Sequence, residues 1–184
     1  MAKPWAVLFG ASAIAGAATI AAVCFAFGTG LLAFAQNHPQ APAAAQNAAP
    51  TTSHAAGTFD VKLVPQGPED KTEGSTIAHL SIDKQYHGDL EAAGKGEMLT
   101  TTTSVKGSAG YVAMERISGT LHGRSGTFVL QHSGTMAHGT FQLSVTVVPD
   151  SATGQLAGLT GKLTGTVADG KHSYEFDYSL PEMP

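Results

Sequence analysis

A period of two runs through residues 110–135, GYVAMERISGTLHGRSGTFVLQHSGT, and it limits the fold more than any other stretch of the chain. Val112, Met114 and Arg116 alternate with Tyr111, Ala113, Glu115 and Ile117, while Phe128, Leu130 and His132 alternate with Thr127, Val129 and Gln131. A pleated strand imposes that period and a helix does not. Between the arms, His122, Gly123, Arg124, Ser125 and Gly126 form a connection of the length that closes an antiparallel pair, since glycine takes positive φ without a Cβ clash. Glu115, Gln131 and His132 are polar residues within these strands, and two registers remain open. Whichever of them lies inside needs a partner, because burying a lone polar group costs about 2 kcal/mol or more.

The same pattern recurs on both sides of this hairpin. Residues 58–64 set Phe59, Val61 and Leu63 against Asp60 and Lys62, and residues 77–86 set Leu80, Ile82, Lys84 and Tyr86 against His79, Ser81, Asp83 and Gln85. Gly88 breaks or bulges that strand. A threonine-rich strand is expected over 94–103, where branching at Cβ favours extended backbone. Residues 140–148 alternate Phe141, Leu143, Val145 and Val147 with Gln142, Ser144 and Thr146. A glycine-punctuated strand over 158–166 then leads through the Asp169-Gly170 hairpin signal into 173–180. No segment has helical periodicity. Seven or eight strands with no covering helix predict an all-β fold, a single closed antiparallel β-barrel of about eight strands, since closure removes exposed sheet edges.

The first 35 residues are expected to stand outside that domain. Lys3 precedes an uncharged run from Trp5 to Ala35, which reads as an N-terminal apolar helix serving as export signal or membrane anchor. Ala33 and Ala35 fit a cleavage site, yet the run exceeds the roughly 7–15 apolar residues of a signal core and is long enough to span a bilayer. Either way the remainder faces away from the cytoplasm, secreted, periplasmic or anchored. Residues 36–56 are rich in Ala, Pro, Asn, Gln and Thr without one charged side chain, and read as a disordered tether in which His38 and His54 are solvated. The barrel is then 57–184. The single cysteine, Cys24, lies in the apolar run, so no internal disulfide forms.

Composition narrows the function. Of 184 residues, 42% are hydrophobic and 13% charged, enough for one core, and a net charge of -4 leaves no basic surface for nucleic acid. No Gly-rich phosphate loop opens a helix, and no Ser sits in G-x-S-x-G. His122, His132, His138 and His172 lack the close spacing of metal ligands, so neither metal nor cofactor is expected.

The string Glu115-Arg116, Gly119, Gly123-Arg124-Ser125-Gly126, Phe128-Val129-Leu130-Gln131-His132 resembles the pattern of a bacterial family of unknown function, DUF3224. Gly88-Asp89-Leu90, Gly154, Leu156, Gly158-Leu159 and Asp177-Tyr178 extend the resemblance over most of 57–180. It implies a small closed barrel of the allene oxide cyclase-like or calycin-like kind. It implies no activity, because a shared barrel does not carry shared chemistry.

Three function classes follow. A binding module would hold a small apolar or amphipathic ligand among Phe128, Leu130, Phe141, Leu143 and Tyr178, with Arg116, Arg124 and Gln131 addressing its polar end. An enzyme, an acid/base isomerase or cyclase, would use Glu115 and His132 as proton-transfer groups; a carboxylate-dependent hydrolase would pair Glu115 with Asp89, Glu91 or Glu97. In the structural alternative Glu115 pairs with Arg124 or Lys95 on the exterior, and the barrel is an envelope scaffold acting through its surface. The partners expected are a small molecule, the membrane through an uncleaved N-terminus, and a second copy of the chain.

Overall fold

Hydrogen bonds between the first and third strands close the sheet on itself. The computed structural model describes residues 52–181. Their strands are β1 (Thr52–Pro65), β2 (Asp70–Thr72), β3 (Ser75–Gly88), β4 (Leu90–Thr103), β5 (Ala109–Leu121), β6 (Arg124–Ala137), β7 (Thr140–Val147), β8 (Thr160–Ala168) and β9 (Lys171–Ser179). Each pairs antiparallel with its sequence neighbour from β3 onward, and β9 returns to β1. The pairing of β1 with β3, Gly57 opposite Gly88 through Pro65 opposite Leu80, completes an eight-strand barrel with β2 appended beside β3. One 3-10 turn, Gly154–Leu156, breaks the all-β pattern.

Local chemistry sets these joints. The β5–β6, β6–β7 and β8–β9 hairpins turn on His122-Gly123, His138-Gly139 and Asp169-Gly170, with positive φ at both residues of each pair. That is the mirror-image turn whose twist matches flanking strands. The central connection is therefore two residues long, and Arg124, Ser125 and Gly126 belong to β6. At β3–β4 the whole connection is Asp89, whose carboxylate accepts the Ala56 N–H at 2.9 Å. The fourth strand consequently begins at Leu90, ahead of the expected residue 94.

The N-terminal boundary moves as well. β1 starts at Thr52, so residues 52–56 belong to the barrel and not to the tether. Ala55 is fully buried, and His54, its side chain exposed as expected, belongs to β1 and not to a tether. It lies against β9, its Nδ1 2.8 Å from Asp177 and its Nε2 2.7 Å from Glu175. Small Ala side chains give the weak hydrophobic contrast that hid this strand end. The apolar N-terminal helix, its export or anchor role and the first part of the tether lie outside the described residues.

Inside, the two ends of the barrel differ. One end is filled by aromatic and aliphatic side chains, Phe128 stacked on Phe176 at 6.0 Å and Tyr86 edge-on to Tyr174 at 5.7 Å. Leu156 and Leu159 of the β7–β8 connection cap it, both buried. Toward the other end the packing thins to a smaller cluster around Leu80, Ile82, Met98 and Ala113. Interiors are normally close-packed, so a thinning confined to one end sets it apart from the other.

Candidate functional site

Where the filled end meets the thin end, three strands send polar groups inward. Alternation places Lys84 and Tyr86 on the same face of β3 as Leu80 and Ile82, Glu115 between Ala113 and Ile117 on β5, and His132 after Phe128 and Leu130 on β6. Glu115 is 0% exposed. Its Oε2 accepts a charged hydrogen bond from Lys84 Nζ at 2.8 Å, and its Oε1 accepts the Tyr86 hydroxyl at 3.1 Å. Lys84 also donates to the Tyr86 oxygen at 3.2 Å, and its ammonium sits 4.9 Å over the Phe59 ring. Gly94 on the neighbouring strand makes the carboxylate's position available, because a Cβ there would strike Glu115 Oε1.

His132 completes the cluster. Its Nε2 lies 3.0 Å from Glu115 Oε2, but the two are out of line, and this buried nitrogen has no aligned hydrogen-bond partner among the described residues. Burial pushes the Glu115 pKa up, yet His132 and Lys84 outweigh it and hold the carboxyl below its ordinary range. Burial pushes His132 down, helped by the Lys84 charge and opposed by Glu115. Near neutrality the cluster therefore contains a carboxylate and a neutral imidazole. Tyr86 and Tyr111 are both raised, first by burial and then by the Glu115 charge, so their hydroxyls stay protonated.

Above this floor lies a cavity of about 100 Å³. Phe59, Val61, Leu63, Met98, Phe141 and Leu143 supply much of its wall, with Lys84 and His132 at its inner end. Its mouth is ringed by Ala109, Met136 and Val167, near the β4–β5, β6–β7 and β8–β9 turns. From inside the cavity the cluster presents the Lys84 ammonium, a donor. The Lys84 side chain retains 12% exposure, whereas the Glu115 carboxylate behind it retains none.

Of the residues singled out from the sequence, the structure brings Glu115 and His132 together inside the barrel and puts Phe141 on the cavity wall. Gln131 points outward, as strict alternation with His132 requires, and Arg116 is likewise exposed on the outer face opposite Lys95. Arg124 sits beside the β5–β6 turn at the filled end. Phe128, Leu130 and Tyr178 are buried in the filled core and do not line the cavity. Glu115 pairs with neither Arg124 nor Lys95; its cation is Lys84. Asp89, Glu91 and Glu97 are exposed, and Glu97 engages His79 at 2.7 Å on the outer surface. Among the described residues, no three His, Cys, Asp or Glu side chains converge as a metal site. Lys84 and Tyr86 are the members that sequence reasoning missed. Their signal was a lysine in phase with Leu80, Ile82 and Tyr86.

Fold and site together define a small closed antiparallel barrel, one end solid and the other an apolar cavity floored by a buried ion cluster. Residues 55–178 match the family model described as a protein of unknown function, DUF3224, and the chain belongs to that family. A crystal structure of a DUF3224-family protein of unknown function from Shewanella oneidensis MR-1, determined at 1.84 Å, is 42% identical and superposes with a TM-score of 0.69. The match covers 72% of this chain and 100% of that one. No curated protein matches the chain.

Proposed function

We propose that the barrel is a binding module whose open end holds a small, largely apolar molecule. The observation that carries this reading is the 100 Å³ cavity, apolar on its walls and ending at two polar side chains, Lys84 and His132. Binding sites of this type combine apolar lining with few convergent polar groups. An apolar cavity of about 150 Å³ holds benzene, so this one takes the head of a ligand and a few carbons, the rest leaving through the mouth. The one-ended filling is what an allene oxide cyclase-like or calycin-like barrel would use, and the apolar run over residues 5–35 supports an exported or membrane-anchored setting.

Calorimetric titration with neutral hexanol tests the reading. Saturable binding is expected in the wild type. Loss of it is expected in Leu143→Trp, which places an indole in the cavity. Absence of saturable binding by hexanol, hexanamide and hexanoate alike would overturn it.

A second reading, acid/base catalysis, is favoured by the 3.0 Å approach of His132 to Glu115. There Glu115, sealed from the cavity, orients and charges His132, which meets the substrate. Glu115→Gln separates the two: turnover is abolished in an enzyme, while affinity for neutral hexanol stays within a few-fold in a binder.

A further inference from the structure

We infer that the ligand of this cavity is a short apolar carboxylate, taken up together with one proton that settles on His132. The inference rests on the cavity-binding reading and adds the chemistry of the head group. The floor offers the cavity an ammonium and an imidazole, while the balancing carboxylate is turned away at 0% exposure. An incoming molecule therefore meets the Lys84 ammonium, a donor that selects an acceptor. Among acceptors, a carboxylate makes the stronger, charge-assisted bond to Lys84.

Charge balance then requires the proton. In the empty site Lys84 and Glu115 already neutralise one another at 2.8 Å. A second carboxylate beside Glu115 would leave an uncompensated buried charge. His132 is the group placed to correct this: it is 5% exposed, it lines the cavity, and its Nε2 lies next to Glu115 without an aligned hydrogen bond. A proton there makes two cations for two anions. The other groups facing the cluster do not serve. Tyr86 and Tyr111 are already protonated and cannot become cations, and Lys84 carries its charge before the ligand arrives. His172, on β9, has its protonation disfavoured first by burial and then by the Lys84 charge, with Asp60 opposing both. Met98, Val61 and Leu63 contribute no titrating group from the facing strands.

The test compares hexanoate, hexanamide and hexanol by calorimetry at several pH values in phosphate and in Tris. Hexanoate is expected to bind at least tenfold more tightly than hexanamide at pH 6. Its affinity should fall by about tenfold per pH unit once His132 no longer accepts the proton unaided. The difference between buffers should report about one proton taken up per ligand. Hexanol and hexanamide should show neither effect. In His132→Gln the pH dependence should vanish and hexanoate should bind no better than hexanamide. Equal affinity of the acid and the amide in wild type, or no proton uptake, overturns the inference while leaving the cavity reading intact. Retention of the pH dependence in His132→Gln places the proton on the ligand and also overturns it. Failure of all three probes overturns the cavity reading instead. Should His132→Gln not fold, the wild-type histidine decides by NMR: its ring must become an imidazolium on hexanoate binding and stay neutral with hexanol.

Discussion

Replacing Lys84 by Met is the perturbation that most directly weighs the cluster at the barrel floor. Methionine keeps the length and most of the packing of the lysine stem, so the change is chiefly the loss of one charge. At 2.8 Å from the Glu115 carboxylate, and with an effective dielectric near 20, the lost attraction is about 6 kcal/mol. Tyr86 still donates to Oε1, which offsets part of it. Removing one partner of a buried pair typically costs about 3–5 kcal/mol, and we expect that range near pH 8. The cost should shrink in acid. Without Lys84, nearby His132 loses a charge that lowers its pKa and keeps one that raises it. Its pKa therefore rises, and the imidazolium replaces the missing ammonium. The variant's native state then binds more protons than the wild type's, so the stability gap widens as pH climbs. Urea unfolding at pH 5.5 and pH 8, with NMR titration of the His132 ring, measures both quantities. The double variant Lys84→Met, Glu115→Leu should recover most of the loss, since it removes the orphaned charge as well. A single-variant loss under about 1 kcal/mol at pH 8, or one independent of pH, would refute the reasoning.

Other outcomes follow from the same geometry. In the wild type, His132 and Glu115 both have lowered pKa values, so the unfolded chain protonates before the folded one. Thermal stability should fall as pH drops below about 6.5 and again through the carboxylate range; calorimetry showing stability constant from pH 7 to pH 4 would contradict this. Gly94→Ala drives a Cβ into Glu115 Oε1 and should destabilise by roughly 1–3 kcal/mol, whereas Gly165→Ala, whose Cβ meets only Leu143 at 3.9 Å, should be near neutral by denaturant midpoint. His54, raised in pKa first by its hydrogen bond to Asp177, helps hold the start of β1 below pH 6.5 and loses that role as pH rises through its folded pKa. Hydrogen exchange of residues 52–56 should accelerate from pH 6 to pH 8 beyond the intrinsic base-catalysed rate, and His54→Ala should remove the excess.

How far the sequence disclosed this site depends on which coordinate is asked for. Alternation fixes the face of a residue relative to its neighbours: Glu115 with Ile117, His132 opposite to Gln131. Those relations hold throughout β5 and β6, and the hairpins follow from paired residues such as Asp169-Gly170. Depth along the barrel axis is another matter. Phe128 and Phe141 both point inward, yet one lies in the solid end and the other on the cavity wall, because depth depends on how the strands stagger and on the closing register of β1 with β3. No local pattern encodes that register. The β3–β4 and β4–β5 pairings bring Lys84 of β3 to Glu115 of β5 across 31 positions, with Gly94 of β4 leaving room for the carboxylate. Arg116 and Arg124 were the nearer cations in sequence, but one faces outward and the other belongs to the closed end.

The most direct measurement of the central claim is NMR mapping of hexanol on the wild-type protein. Saturable shifts are predicted for Phe59, Val61, Phe141 and Leu143, with a smaller response at Lys84 and His132. Shifts confined to the exposed outer residues Leu99, Val112 and Met114, with the inner wall unmoved, would contradict the account.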